Sequence, residues 1–311
     1  MPALLLACAF LLALAGCGSQ PQVAVRDTVD DYSWEELAAI SAEIAAAPDD
    51  AAAKELAEHY HVAGAGGSLD GSQSKAVELA DGSATRAIVI GFNQDVHDDG
   101  GKAGMTFMLA DAVDARALNN GAKAGESDLA DAYSIGGWAA SDARRWLNGD
   151  FRSALPADLD AVLAPVQKAA VAVPEFELGG VGDQGTVGYS PDAVLGATVD
   201  YLWLPAISEL SGVSPETVAA TDRPGWVPVL RAEGGQYRLF ADEGISEEQP
   251  NDTLKRSLVG ESAPGSWWLR SVENASFAYV REDGSIDRED SEDESFPLPS
   301  EALGIVPCFA L

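Results

Sequence analysis

The chain has 311 residues, 47% of them hydrophobic and 22% charged, which is enough apolar material for a large packed core and too much for global disorder. Fifty acidic residues against 19 basic ones give a formal net charge of −31, a field that repels phosphate backbones and anionic headgroups and so excludes nucleic acid and direct electrostatic membrane binding. Cationic ligands and divalent cations suit such a surface, and plain colloidal repulsion also explains it.

Residues 3–16, ALLLACAFLLALAG, carry no charge. As a helix they span about 21 Å, short of the ~30 Å hydrocarbon core and suited to the apolar region of a signal peptide. Leu14, Ala15, Gly16 and Cys17 follow directly. This tetrapeptide resembles the bacterial lipobox. The resemblance implies that the Cys17 thiol receives a diacylglyceryl group and that the leader is cut before it, and the small side chains of Ala15 and Gly16 suit a narrow peptidase cleft. The segment before the apolar run is only Met1-Pro2, without Lys or Arg, which departs from the usual signal. An upstream start, or the terminal amine as sole charge, accounts for it; a non-cleaved anchor or a plain secretory signal is the other reading.

With Cys8 in the leader and Cys17 at the anchor, Cys308 is the one ordinary thiol of the mature chain, and no intramolecular disulfide can form. A buried, inert thiol is expected there, a nucleophile near His59, His61 or His97 being the alternative. Residues 17–32 read as a polar, acidic tether. Ser33 with Glu36 three residues on has the form of a capping box, and Leu37, Ile40 and Ile44 recur at helical spacing, which predicts a helix over 34–47. Pro48-Asp49-Asp50 breaks it and opens a second helix over about 50–60, so residues 33–62 form a helical hairpin. The Gly/Ser-rich stretch 63–74 reads as a linker and 75–311 as one domain.

KAVEL, TRAIVIGF and AGMTFMLADAV have the β-branched and aromatic content of strands. In the loop between the last two, Asp95, His97, Asp99 and Gly100 fall at positions 1, 3, 5 and 6 of a calcium-loop pattern. Thr106 stands where the bidentate Glu belongs, so the loop is not an EF-hand; a solvated hairpin loop or a cation site through Asp95 and Asp99 are the readings. Residues 136–151 predict a helix on a Gly-Gly hinge, and LPADLDAVL another with Pro156 in its first turn. Residues 198–204, TVDYLWL, predict a strand with Val199, Tyr201 and Trp203 on one face; Asp200 on the other needs a partner.

In WWLRS, Trp267 and Leu269 share one strand face, and Trp268 and Arg270 the other. A buried Arg270 requires a carboxylate, for which Asp142 and Asp200 are the candidates, with cation–π stacking on Trp268. The functional alternative is a ligand pocket, with Trp268 as platform, Arg270 as clamp, and Trp138 and Asp200 beside them. SFAYV predicts the next strand, an Asp-Gly turn follows, DREDSEDES is a solvated charge run, and the terminal GIVPCFAL is buried in the sheet.

Taken in order, Met105-Thr106-Phe107, GGWAASDARRWLN, VDYLWL, WWLRS, FAYVREDGSI and GIVPCFAL resemble the bacterial domain-of-unknown-function family 6273 over about residues 85–311. The resemblance implies an extracytoplasmic domain, often carried by lipoproteins, with no assigned activity. The WWLRS and terminal segments also resemble, more distantly, C-type-lectin-like domains, a group that includes the formylglycine-generating enzymes. Those oxidising enzymes use a cysteine pair, and only Cys308 stands here. Calcium-dependent lectins use a Glu-Pro-Asn or Gln-Pro-Asp loop with a later Trp-Asn-Asp; this chain has Gln249-Pro250-Asn251-Asp252 without the second part, which adds Asn251 and Asp252 to the calcium candidates.

His59 and His61 at a helix end point about 200° apart, an exposed pair rather than metal ligands. There is no Gly-x-Ser-x-Gly, P-loop or His-Glu-x-x-His. The expected fold class is α+β: a helical hairpin, then a mixed, mainly antiparallel sheet domain with flanking helices, C-type-lectin-like in outline. The expected function is a lipoprotein held to the bilayer through acylated Cys17 on the extracytoplasmic side, with a noncatalytic domain that binds a glycan, peptide or protein. An extracellular enzyme and a structural or envelope-assembly lipoprotein are the alternatives.

Overall fold

The structure, a computed structural model, describes residues 23–121, 134–172, 195–213, 226–246, 249–273, 276–287 and 297–311. The expected leader over residues 3–16, Cys17 and the acidic run from Arg288 lie outside the described residues.

Helix α1 (Trp34–Ala45) begins where the capping box places it. Ser33 Oγ accepts the Glu36 amide at 3.1 Å, and Glu36 returns a carboxylate to the Ser33 amide at 2.8 Å. Its Leu37, Ile40 and Ile44 are buried. Helix α2 (Asp50–His59) is capped by Asp49 and ends as His61 takes a left-handed φ of 53°. The hairpin is continuous with the body. Trp34 meets Phe107 and Phe309 edge-on at 5.8 and 5.9 Å, and Ser41 Oγ donates to the Leu311 carbonyl at 2.5 Å while accepting the Met105 amide. A Cβ at Gly104 would lie 1.8 Å from the Ser41 carbonyl oxygen, so only glycine allows this approach.

The expected tether and linker differ from the structure in the same way. Val29 and Tyr32 are buried, and Arg86 pairs with Asp30 at 2.9 Å, so the chain packs on the body from about residue 28. In the 63–74 stretch Leu69 is buried and its amide donates to Asp242.

Strands β1 (Ser74–Glu78), β2 (Ala84–Gly91) and β3 (Thr106–Leu109) form an antiparallel sheet, which the terminal strand β13 (Cys308–Ala310) closes against β3. The second sheet has the order β11-β10-β9-β12-β4. Its members are β4 (Ala115–Arg116), β9 (Trp267–Glu273), β10 (Ser276–Val280), β11 (Ile286–Asp287) and β12 (Leu303–Gly304); only β12 and β9 run parallel. Strands β5 (Val166–Val171) and β6 (Leu195–Asp200) form a two-stranded antiparallel ladder, and β7 (Arg256–Ser257) and β8 (Pro264–Gly265) another. Bridges from His97 to Val166 and from Ala164 to Ala310 join β5 to the first sheet. The α+β class and the antiparallel bias are as the sequence leads one to expect.

Two elements break where one was expected. Residues 136–151 form α3 (Gly137–Ala140), α4 (Asp142–Trp146) and then a wider turn over Leu147–Phe151. Ser141 is extended and accepts the Arg144 amide at 3.1 Å, so it restarts the helix instead of continuing it. The strand through 198–204 stops at Asp200 because Asn148 Oδ1 takes the Tyr201 and Leu202 amides, at 2.8 and 3.2 Å. Short helices α5 (Ala157–Asp160), α6 (Ile207–Ser211), α7 (Trp226–Glu233) and α8 (Arg238–Asp242) flank the sheets. The core runs unbroken from Val29 to Leu311.

Candidate ligand site over a buried ion network

Lys168 is on the inward face of β5, between Val166 and Ala170, and is 3% exposed. An ammonium among apolar neighbours requires counter-charges, and two carboxylates reach it. Nζ pairs with Asp95 and, at 2.9 Å, with Glu209, donates to Tyr237 Oη at 2.9 Å, and lies 4.2 Å from the Trp203 ring centre. Asp95 follows β2 and also accepts Thr106 Oγ1 at 2.5 Å. Glu209 sits in the first turn of α6 and caps it by accepting the Ala206 amide at 3.0 Å.

Arg270 on β9 completes the network. Nε donates to the Ala169 carbonyl, Nη1 to the Leu204 carbonyl and to Glu209 Oε2, and Nη2 to Glu209 Oε1 and to the Glu233 carbonyl. Glu233 Oε2 in turn accepts Ser271 Oγ at 2.6 Å. Burial pushes Glu209 toward the neutral acid, but the charges of Arg270 and then Lys168 outweigh it and hold its pKa at about 2. Burial, with Asp95 and Glu209 adding to it, drives the Tyr237 phenol well above its ordinary range.

An open cleft of about 280 Å³ lies over this network. Asp95, Lys168, Glu209 and Tyr237 form its floor, Gln94, Gln167, Gly234 and Gly235 its rim. Gly234 has φ 148°, and a Cβ there would meet Glu209 Cγ at 2.7 Å, so the chain grazes the floor only as glycine. Gly235 faces open space: a Cβ added there meets nothing within 4 Å.

The residues singled out from sequence take other places. Arg270 is fully buried and ion-paired, as expected, but its partner is Glu209, and neither Asp142 nor Asp200. The reason lies in the neighbouring chain: the Arg270 amide bonds the Pro205 carbonyl at 3.0 Å and Ser271 Oγ accepts the Ile207 amide, which brings α6 alongside β9. Asp200 instead pairs with Arg144 at 2.6 Å and accepts Trp138 Nε1 at 2.9 Å, so Trp138 and Asp200 do meet. Asp142 pairs with Arg145. Trp268 donates to the Arg116 carbonyl and meets Tyr279 edge-on, in place of the expected stacking on Arg270. Trp138, Asp200, Trp268 and Arg270 are all at 0% exposure and none of them lines the cleft; Arg270 reaches its floor through Glu209.

The calcium candidates do not converge. Asp95 points inward to Lys168, Asp99 Oδ1 takes the Gly101 amide, Asn251 Oδ1 the Thr253 amide, and Asp252 pairs with Lys255. Among the described residues no group of three or more His, Cys, Asp or Glu side chains is placed to hold a metal ion. Cys308 is buried, and burial, with Glu209 adding to it, pushes its thiol well above the usual range.

Sequence reasoning missed Lys168, Glu209, Glu233 and Tyr237. The signal was present: VQKAAV carries one lysine on the apolar side of an alternating strand, and PAISELSG one glutamate in an apolar turn.

Fold and site define an α+β domain with a cleft above fixed buried ions. Residues 103–311 match the family described as Domain of unknown function (DUF6273), about two thirds of the chain, and the chain belongs to that family. Lys168, Glu209, Tyr237 and Arg270 fall inside the match and Asp95 before it. No curated protein and no solved structure matches the chain.

Proposed function

We propose that this is a bacterial surface lipoprotein, moored through acylated Cys17 on the extracytoplasmic side, whose DUF6273 domain is a noncatalytic ligand-binding module. The anchor rests on the uncharged leader 3–16 and the Leu14-Ala15-Gly16-Cys17 tetrapeptide. The described residues hold no helix long and apolar enough to cross a membrane. A distant C-type-lectin-like likeness of the terminal segments belongs to the same reading, and the ligand is a glycan, a peptide or a protein.

The binding role rests on one observation: on the cleft floor Glu209 and Tyr237 are each held in one charge state at neutral pH. General acid–base catalysis works best with a pKa near the working pH. Glu209, at about 2, stays ionised at neutral pH, and Tyr237, well above 10, stays neutral. Two floor groups that keep their charge state suit recognition better than proton transfer. The test is a glycan and peptide array with the purified protein, with and without calcium, run in parallel with Gly235→Trp. That substitution enters open space at the cleft rim. The reading requires a wild-type signal that the variant loses. An equal signal from both proteins moves binding away from the cleft, and no signal from either sinks the module.

A further inference from the structure

Lys168, Arg256 and Arg270 are the buried basic side chains among the described residues. Lys168 and Arg270 are paired with carboxylates. Arg256, 7% exposed, has no carboxylate partner, in a chain of 50 acidic residues. Its guanidinium is held by the backbone: Nη1 donates to the Thr253 carbonyl at 2.7 Å and to the Lys255 carbonyl at 2.8 Å. A guanidinium has five N–H donors. Arg270 makes five contacts with its own, whereas Arg256 makes two. Its Nε is buried without a partner, and Nη2 makes no hydrogen bond. Nε–H and the nearer Nη2–H point the same way and form the two-donor edge that a carboxylate accepts with both oxygens.

Burial lowers the guanidinium pKa to about 10, against an opposing pull from Asp111, so the cation persists at neutral pH. Asp111 does not complete it: its Oδ2 accepts Thr85 Oγ1 at 2.7 Å, and it forms no ion pair with Arg256. There is space beside the cation. Arg256 on β7 stands directly across from Gly265 on β8. Opposite residues of an antiparallel pair carry their side chains on one face. Gly265 is exposed, and a Cβ added there meets nothing within 4 Å. A fixed cation with three unused donors therefore adjoins an open place on its own strand pair, and Arg256 is not among the residues lining the cleft.

We propose that Arg256 binds a carboxylate, whose two oxygens accept Nε–H and Nη2–H while the rest of the ligand lies over Gly265. The net charge of −31 works against every anion, and against a dianion more than a monoanion, so a singly charged planar carboxylate suits this one cation better than phosphate does. A small carboxylic acid and an acidic peptide side chain share this group. The proposal stands independently of the cleft.

The experiment is an NMR titration of the full chain at neutral pH that follows the Arg256 Nε–H signal and the backbone amides of Arg256, Ser257 and Gly265. The probes, at matched ionic strength, are sodium acetate, sodium chloride and sodium phosphate, with Nα-acetyl-glutamate N-methylamide as the peptide mimic. Saturable shifts are expected for the two carboxylates alone. Gly265→Trp, which fills the open place without replacing the cation, weakens them about tenfold or more. Arg256→Lys keeps the charge, lacks the two-donor edge, and weakens them about tenfold; should that variant not fold, Gly265→Trp decides. Tighter binding of the glutamate mimic than of acetate supports a peptide side chain as the source, and equal or weaker binding supports a small acid. If chloride or phosphate moves the same signals as strongly as acetate, the carboxylate assignment is wrong. If no probe moves them, or Gly265→Trp changes nothing, Arg256 is a structural cation and the proposal fails.

Discussion

At Arg270 one guanidinium joins four parts of the chain that are far apart in sequence: β9, β5, α6 and the end of α7. A buried pair contributes little over an apolar substitute, but removing one partner strands the other. Arg270→Ala leaves Glu209 facing Lys168 alone and is expected to cost about 3–5 kcal/mol in urea denaturation; a loss below about 1 kcal/mol would mean the pair is not buried as described. Glu209 gives the matching pH dependence. Its pKa falls from an ordinary 4.5 to about 2 in the folded protein, so its contribution is complete above pH 4.5 and is lost as pH falls toward 2. That contribution is roughly 3 kcal/mol. Stability measured against pH should therefore drop through this window in the wild type and stay flatter in Glu209→Gln. Parallel curves would contradict the assignment.

At the scale of elements, local chemistry was legible where it acts alone. The capping box at Ser33 and Glu36, the hairpin break at Pro48 and the alternation in SFAYV each needed only neighbours in sequence. The reading failed where a distant side chain intervened, as when Asn148 ended β6 at Asp200. The site was half legible. Burial of Arg270 demanded a carboxylate, but choosing among 50 acidic residues required knowing that α6 runs beside β9. Docking of the hairpin shows the same limit, since it depends on Gly104 lying under Ser41, 63 positions away. Gly104→Val is expected to lift α1 from the sheet at a cost of about 3 kcal/mol, read as faster hydrogen exchange of the α1 amides with β9 unaffected. Equal protection in the variant would refute that close approach.

For the whole molecule, hairpin and DUF6273 domain share one core, although the family match begins only at residue 103. The family boundary is therefore not a folding boundary, and the hairpin, β1 and β2 complete the first sheet and its cover. The acidic composition and the proposed leader belong to this scale as well. Intact mass of the protein extracted from its native membrane is expected to show the chain starting at an acylated Cys17; an unmodified residue 17 or a retained leader would end the lipoprotein reading. The most direct measurement is a crystal structure of the protein with the ligand that the array selects. The account predicts ordered density in the cleft, over the floor formed by Asp95, Lys168, Glu209 and Tyr237. Density elsewhere, with the cleft holding only solvent, would contradict it.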